Sequence, residues 1–206
     1  MWLMAERRSP LALVVLSLLA EEPMHAYGMQ QKIKSRHKDE VVNVAQRNSV
    51  YQTIERLLRA GYVRVAQTTR EAGRPERTVY EITPEGREVH AGWLRTMLAA
   101  PAREFPEFPA ALAFLALLDP ADARDQLDRR AALLRAKLDR LGAHLAQAQE
   151  MELPRLFAVE TEYDETMTRA ELRFVEDLAA DLRSGRLTWS AEWLAEVAAR
   201  FEGATA

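Results

Sequence analysis

Apolar residues recur at helical spacing over most of this chain, and the helical pattern gives way to a strand pattern between residues 62 and 83. A helix is predicted from Asn48 to Gly61. Its apolar positions share one face, and they are Val50, Ile54, Leu57 and Leu58. Two alternating stretches follow, Tyr62 to Thr68 and Thr78 to Thr83, and they predict a two-stranded β-hairpin. Gly73 and Pro75 favour a turn between these strands.

Two further helices are predicted before residue 48. Ser9 followed by Pro10 is an N-cap with proline at the first helical position, and the helix they start runs to about Ala20. A second helix begins near His25 or Ala26 and ends in the basic segment 32–38. The order helix, helix, helix, strand, strand is typical of a winged helix-turn-helix.

The run Leu11 to Ala20 is apolar except for Ser17, and it follows two arginines. This resembles the apolar part of a signal peptide. It lacks a small-residue cleavage pattern, continues directly into Glu21-Glu22, and is too short to span a bilayer. We therefore expect no membrane partner. The absence of cysteine favours a cytoplasmic protein.

The second half of the chain is predicted to be helical throughout. A helix continues after Gly86 to about Ala99, residues 101–109 form an ordered hinge with three prolines, and an apolar helix spans Ala111 to Leu118. Two long helices then carry apolar seams at spacings of three and four. The first seam is Leu127, Ala131, Leu134, Leu138, Leu141, Leu145 and Ala148; the second is Leu156, Val159, Tyr163, Met167, Ala170, Phe174, Leu178 and Leu182. A last helix covers about Ala191 to Phe201, with Trp193, Leu194 and Val197 facing inward.

The seams pack on each other within one chain or build a dimer, and we favour the dimer. A winged helix that recognises a palindromic site needs a partner at fixed spacing. The expected dimer interface is Leu127, Leu134, Leu138, Leu141, Leu145, Phe174 and Leu178.

Charge divides unevenly between the two halves. Of 28 Lys and Arg and 31 Asp and Glu, residues 1–83 hold 13 and 9, a net +4. Residues 84–206 hold 15 and 22, a net −7. The asymmetry indicates that the N-terminal half faces a polyanion.

The sequence offers little for catalysis or metal binding. It has no cysteine, and its four histidines share no ligand spacing. The glycines form no phosphate-binding loop, the serines lie in no nucleophile-elbow pattern, and the carboxylates at 160, 162, 164 and 165 are typical of a solvated helix face. We expect neither enzyme activity nor a cofactor or metal.

The polar side chains around the third helix suit nucleic acid. Gln52, Arg56 and Arg59 lie opposite its apolar stripe, with Asn48 and Ser49 beside them and Tyr51 at the border. Amide and guanidinium groups pair with base edges and phosphates. The arginines of the hairpin (Arg70, Arg74 and Arg77) and the lysines of the second helix (Lys32 and Lys34) are expected to contact the DNA backbone. The alternative is that these cations serve solubility and the end of a solvated helix.

Several motifs in order resemble the PadR family of transcriptional regulators. They are Leu11 to Leu16, Pro23-Met24-His25-Ala26-Tyr27, Ser49-Val50-Tyr51, Glu55-Arg56-Leu57, Ala60-Gly61-Tyr62-Val63, Gly73-Arg74-Pro75 and Val79 to Arg87. The second half of the chain resembles family members that have a long helical C-terminal domain. The matching residues are 107–116, Pro154-Arg155-Leu156 and Leu182 to Trp189. Two departures from the family pattern are Ala26 with Gly28, and Asn48 where a small residue is usual.

The resemblance implies a mainly α fold with a small β-wing. It comprises a winged helix-turn-helix DNA-binding domain at residues 1–88 and a coiled-coil-like helical dimerisation and effector domain at residues 89–206. The implied function is a ligand-responsive repressor that binds a palindromic operator in double-stranded DNA as a homodimer, with the Tyr51 hydroxyl on a phosphate. A small apolar or aromatic effector is expected near Trp93, Phe105, Phe108, Phe114, Tyr163 or Trp189. The alternative function is a helical protein–protein adaptor without specific DNA binding.

Overall fold

The chain folds into two units. The structure, a computed structural model, describes residues 8–44, 48–69 and 77–203. A first unit ends at Glu104 and a second begins at Phe105. Residue 88, after which the domain boundary was predicted, lies within a continuous helix, Pro84–Ala99, which packs on the first helix of the chain.

Three helices form the body of the first unit, as predicted. Helix α1 spans Pro10–Glu21, and the Ala12 N–H donates to the Ser9 side-chain oxygen at 3.1 Å, which makes Ser9 the N-cap. Helix α2 spans Ala26–Ser35 and α3 spans Ser49–Arg59. The Gly28 N–H donates to His25 Nδ1 at 2.7 Å, so a histidine caps α2. A 3₁₀ turn at Lys38–Glu40 lies between α2 and α3.

The predicted hairpin is part of a three-stranded antiparallel sheet with the order β1-β3-β2. Strands β2 (Val63–Thr69) and β3 (Arg77–Ile82) pair as expected, with a bulge between Val65 and Gln67. The added strand, β1, is only Met24–His25, which pairs with Val79 and Tyr80 of β3. Two residues are too few to show an alternating pattern, so β1 could not be predicted from the sequence.

Helix α4 (Pro84–Ala99) closes the first unit against α1. Thr83 caps it by accepting from the Gly86 N–H at 3.0 Å. Gly86 lies so close to the end of α3 that a Cβ there would sit 2.1 Å from the Tyr62 carbonyl oxygen. Ser17 Oγ and His90 Nε2 are hydrogen bonded at 2.9 Å, and burial, with the nearby Arg87 charge, lowers the pKa of His90.

The first core is shared by the three body helices and the sheet. Its largest fully buried side chains come from all three helices, and they are Leu16, Leu19, Met29, Ile33, Ile54 and Leu57. Val63 and Ile82 close it from the sheet. Burial of one such side chain stabilises a fold by about 1.5–3 kcal/mol, so α3 is held firmly by its apolar face.

The second unit is a helical unit. Its helices are α5 (Glu107–Ala113), α6 (Pro120–Glu150), α7 (Val159–Ser184) and α8 (Ala191–Gly203). Helix α5 begins earlier than predicted, because Pro109 lies in its first turn, where a proline removes no hydrogen bond. A 3₁₀ turn, Leu115–Leu117, replaces the predicted end of that helix. Gly185 ends α7 with a φ of 76°.

Helices α6 and α7 pack along their length on each other. Ala123, Leu127 and Ala131 of α6 are buried with Val175, Ala179 and Leu182 of α7. Ion pairs flank this contact, among them Arg130 with Glu171, Arg135 with Glu176 and Lys137 with Asp164. Of the three α8 residues expected to face inward, Trp193 is 51% exposed, whereas Leu194 and Val197 are half-buried.

Candidate nucleic-acid interface

Helix α3 exposes a polar face to solvent and packs its opposite, apolar face against the core. Val50, Thr53, Ile54 and Leu57 are buried. The exposed side chains lie on the opposite side of the helix, and they are Asn48, Tyr51, Gln52, Glu55 and Arg59. This strip offers amide, hydroxyl, carboxylate and guanidinium groups to a partner, without a bulky aliphatic residue among them.

Arg56 differs from the other predicted residues of α3. It is half-buried, and its Nη2 donates to Ser9 Oγ at 3.0 Å. Ser9 is the N-cap of α1, so this bond ties α3 to the start of α1. Ser49 is also half-buried, in the first turn of α3.

Burial of Thr53 explains the position of Arg56. The apolar stripe alone centres the buried face on Val50 and Ile54. Thr53 is only 7% exposed, and at about 100° per residue its burial turns that face toward Arg56. Tyr51 then lies at the other border of the exposed strip, as expected.

Helix α2 places one predicted lysine in ion pairs and leaves the other exposed. Lys32 Nζ lies 3.2 Å from a Glu21 oxygen and 2.7 Å from one of Glu22. Arg36 binds Glu21 through both terminal nitrogens, and these contacts lower the pKa of Glu21 to about 2. Lys34 is exposed.

Two residues that the sequence reading missed share a surface with Lys34. Tyr27 and Gln31 are exposed on α2, and with Lys34 they follow the spacing of four and three that marks one helix face. That spacing was the signal available in the sequence.

The wing is described only in part. Arg64 of β2 pairs with Glu81 of β3 at 2.7 Å, and the two are cross-strand neighbours. Arg70 and Arg74 lie outside the described residues. Arg77 is the first residue of β3, and its side chain is outside the described part as well.

The aromatic residues expected around an effector fall in different parts of the fold. Trp93 belongs to the first unit, where its ring meets Tyr62 edge-on at 6.2 Å. Phe108 packs in the second unit beneath Arg130, whose guanidinium lies 3.7 Å from the ring centre. Trp189 is half-buried there and donates to the Leu118 carbonyl at 2.9 Å, whereas Phe105, Phe114 and Tyr163 are exposed.

The residues expected at a dimer interface are partly used within one chain. Leu127 and Leu141 of α6 are buried, and Leu134, Leu138 and Leu145 are half-buried. Leu178 of α7 is half-buried, and Phe174 is 50% exposed. Of the seven residues, Phe174 offers the most surface to a partner.

Two searches of the described residues bear on other functions. Residues 8–44, 48–69 and 77–203 hold no group of three or more acidic or histidine side chains placed to bind a metal ion. Within the same ranges, each helix is too short or too polar to cross a membrane.

A protein-family model matches most of the first unit. Residues 15–91 match the model of the Transcriptional regulator PadR-like family. The match runs from the middle of α1 into α4, so it contains α2, α3 and all three strands. The chain therefore carries a PadR-like domain. A comparison with curated proteins finds no match.

Solved structures share the fold over most of the chain. Bacillus subtilis PadR in complex with operator DNA is 18% identical with a TM-score of 0.67, and the match covers 84% of this chain and 98% of that one. The same protein in complex with p-coumaric acid is 16% identical with a TM-score of 0.65, and the match covers 85% of this chain and 99% of that one. The Vibrio cholerae virulence activator AphA is 19% identical with a TM-score of 0.64, and the match covers 84% of this chain and 98% of that one. This coverage extends beyond the first unit, so the helical second unit is part of the shared fold.

Proposed function

We propose that this protein is a sequence-specific DNA-binding transcriptional regulator that acts as a homodimer on a palindromic operator. The observation that carries the proposal is the exposed polar strip of α3, formed by Asn48, Tyr51, Gln52, Glu55 and Arg59 and set against a buried apolar face. A helix of this kind, followed by a wing, enters a major groove with its polar face toward the bases.

Each group on the strip has a defined chemical use. The Gln52 amide pairs with adenine N6 and N7, and the Glu55 carboxylate accepts from cytosine N4. Arg59 is near the C-terminal end of α3 and contacts a phosphate or guanine. Tyr51 directs its hydroxyl from the border of the strip to a phosphate.

Arg56 has a positioning role in this proposal. Its bond to Ser9 fixes α3 relative to α1, so base contacts fall to its neighbours Gln52 and Glu55. Phosphate contacts come from the wing arginines at 70, 74 and 77, and from α2 through Lys34 and Tyr27. Lys32 contributes less, because two carboxylates already neutralise it.

The regulator is proposed to be a repressor that a small apolar or aromatic effector releases from DNA. The support comes from the Bacillus subtilis protein, which has the same fold and is known in complex with operator DNA and with p-coumaric acid. An effector releases DNA only if it binds one of two conformations more tightly. The second unit offers Phe108, Phe114, Tyr163 and Trp189 for such contacts, and Trp93 lies in the first.

The test is a fluorescence-anisotropy titration against the DNA upstream of the protein's own gene and against a scrambled duplex, at two salt concentrations. We expect affinity for the first to exceed the second by at least about a hundredfold, and both to weaken steeply with salt. Equal affinity for the two duplexes would contradict sequence-specific binding to this site.

The exposed apolar residues of the second unit favour one other candidate, a protein–protein adaptor. That reading requires no DNA affinity. Absence of binding to either duplex at low salt would support the adaptor and reject the regulator.

A further inference from the structure

The exposed strip of α3 carries hydrogen-bond acceptors that the DNA backbone cannot use. Gln52 and Glu55 are both exposed, one helical turn apart. The Gln52 amide oxygen accepts hydrogen bonds, and a carboxylate such as that of Glu55 accepts them without donating any. Phosphate oxygens are acceptors too, so protein donors hold them and these two oxygens have to find their donors on the bases.

The packing of α3 fixes where these two acceptors point. The buried side chains of Ile54 and Leu57 hold the helix on the core, and the Arg56–Ser9 bond ties it to α1. Three residues apart, Gln52 and Glu55 differ by about 4.5 Å along the axis and about 60° around it. Base pairs stack about 3.4 Å apart, so in a major groove the two acceptors reach neighbouring base pairs.

The major groove offers only one kind of donor to such acceptors, the exocyclic amino group. Adenine presents the N6 amino group and cytosine the N4 amino group, whereas guanine and thymine present acceptors and a methyl group. Each base pair therefore has one amino group in this groove. One of its hydrogens is used in base pairing, so the other is the hydrogen available to Gln52 or Glu55.

We propose that the protein distinguishes unmethylated operator DNA from DNA methylated on these amino groups, and that N6-methyladenine facing Gln52 or N4-methylcytosine facing Glu55 releases it. The inference rests on the proposed function and adds a control that acts at the same site. A methylated amino group that stays base paired turns its methyl group into the groove, in place of the hydrogen that the protein uses. The strip of Asn48, Tyr51, Gln52, Glu55 and Arg59 has no aliphatic side chain to receive that methyl group.

The size of the effect follows from leaving an acceptor without its donor. Inside the interface, the methyl group takes the place of both the amino hydrogen and any water. One unsatisfied acceptor is expected to weaken binding by about tenfold to a hundredfold, and the charged Glu55 by more than the neutral Gln52. A palindromic operator presents each position twice, so modification of both half-sites multiplies the two losses.

The experiment scans one modification at a time through the operator. The natural full-length protein first selects its preferred duplex from a random pool. That duplex is then synthesised with N6-methyladenine or N4-methylcytosine at a single base pair of both half-sites, and each version is titrated by fluorescence anisotropy. We expect one adenine position and one cytosine position in each half-site to lower affinity by at least about tenfold, and the other positions to leave it unchanged.

Variants of the two acceptors assign each position to its side chain. Gln52→Ala should bind the unmethylated and the adenine-methylated duplex equally, while it keeps its sensitivity to methylcytosine. Glu55→Ala should show the opposite pattern. Both sites are exposed and helical, where alanine favours the helix, so the fold is expected to persist. Gln147→Ala, at an exposed glutamine of α6, is the matched control and should retain both sensitivities.

The outcomes separate this inference from the proposed function. Tight, specific binding that no methylated position weakens would overturn the inference and leave the regulator. A loss that persists in both Gln52→Ala and Glu55→Ala would also overturn it, because the methyl group would then act through the shape of the DNA. Failure to select any preferred duplex would overturn the proposed function itself.

Discussion

Helices α3 and α7 are both amphipathic, but they differ in how much of their apolar surface is buried within the chain. In α3 every aliphatic side chain is buried or half-buried in its own unit, and the exposed side chains are polar or, in Tyr51, an aromatic ring with a hydroxyl group. In α7 one apolar stripe is covered by α6. A second, formed by Val159, Tyr163, Met167, Ala170 and Phe174, is largely exposed, and within it Phe174 meets the Phe108 ring edge-on. The polar remainder of α3 suits a hydrated polyanion, whereas the apolar remainder of α7 suits another protein surface.

The comparison shows that the two contacts depend on separate parts of the chain. The α3 strip is held by the first core and by the Arg56–Ser9 bond, all within residues 9–104. The α7 stripe is held by its packing on α6, within residues 105–206. A variant that disrupts one unit is therefore expected to remove one contact and preserve the other.

The largest expected effect comes from Gly86→Ala. The new Cβ would lie 2.1 Å from the Tyr62 carbonyl oxygen, a backbone atom that cannot move without displacing the start of β2. We expect the free energy of unfolding of the first unit to fall by about 3 kcal/mol, as for overpacked cores. Urea denaturation followed by tryptophan fluorescence measures this loss, and anisotropy measures the loss of DNA binding.

Gly92→Ala is the matched control for that change. It lies on the same helix with nothing within 4 Å of the added Cβ, so we expect a gain of up to about 1 kcal/mol. The dimeric mass expected in sedimentation, which depends on the second unit, should survive Gly86→Ala. Its loss would show that the two units do not fold separately.

Met167→Glu is the corresponding test of the second unit. Met167 belongs to the largely exposed apolar stripe of α7, and a carboxylate there is expected to weaken the proposed homodimer, so that both half-sites of an operator no longer bind one particle. We expect affinity for the full operator to fall by about a hundredfold, the usual gain from linking two sites. Affinity for a duplex with a single half-site should stay unchanged. An equal fall in half-site affinity would show that Met167 does not act through dimerisation alone.

The sequence predicted most of the fold of the first unit because its signals are local. Ser9-Pro10 marks the start of α1, and the alternating residues mark β2 and β3. The strand β1 was missed because it is two residues long and exists only through its pairing with β3. Arg56 was predicted on the exposed face because a threonine is not counted as apolar, and the burial of Thr53 depends on tertiary packing.

In the second unit, the sequence predicted the long helices but not which apolar stripe of each helix packs within the chain. A repeat of three and four residues is compatible with either surface of α7. Only the structure separates the covered stripe from the open one. The side-chain roles at the DNA interface remain predictions for the same reason, since base contacts depend on a partner.

Gln52→Ala tests the polar strip of α3 more finely. Removal of one amide pairing to adenine should cost about 1–3 kcal/mol on the preferred operator and little on scrambled DNA. Competition titrations with operators changed at single base pairs would show relaxed preference at one position. Gln147→Ala, an exposed glutamine of α6, should bind as the natural protein does. Equal losses on specific and scrambled DNA would remove Gln52 from the base-reading role.

The smallest expected effect is that of Glu21→Gln, which breaks the ion pairs joining the end of α1 to α2. Its pKa is lowered from 4.5 to about 2, chiefly by the hydrogen bond from Arg36, so the stabilisation is present above pH 4.5 and is lost as pH falls toward 2. Because the Glu21 side chain is 44% exposed, solvent screening limits this to about 1 kcal/mol. Urea denaturation should show the natural protein and Glu21→Gln differing at pH 7 and converging as the pH is lowered below 4.5. Glu22→Gln, which removes a single contact to Lys32, should change stability less. A gap between the natural protein and Glu21→Gln that persists undiminished at pH 3 or below would mean that packing, and not the carboxylate charge, accounts for the loss.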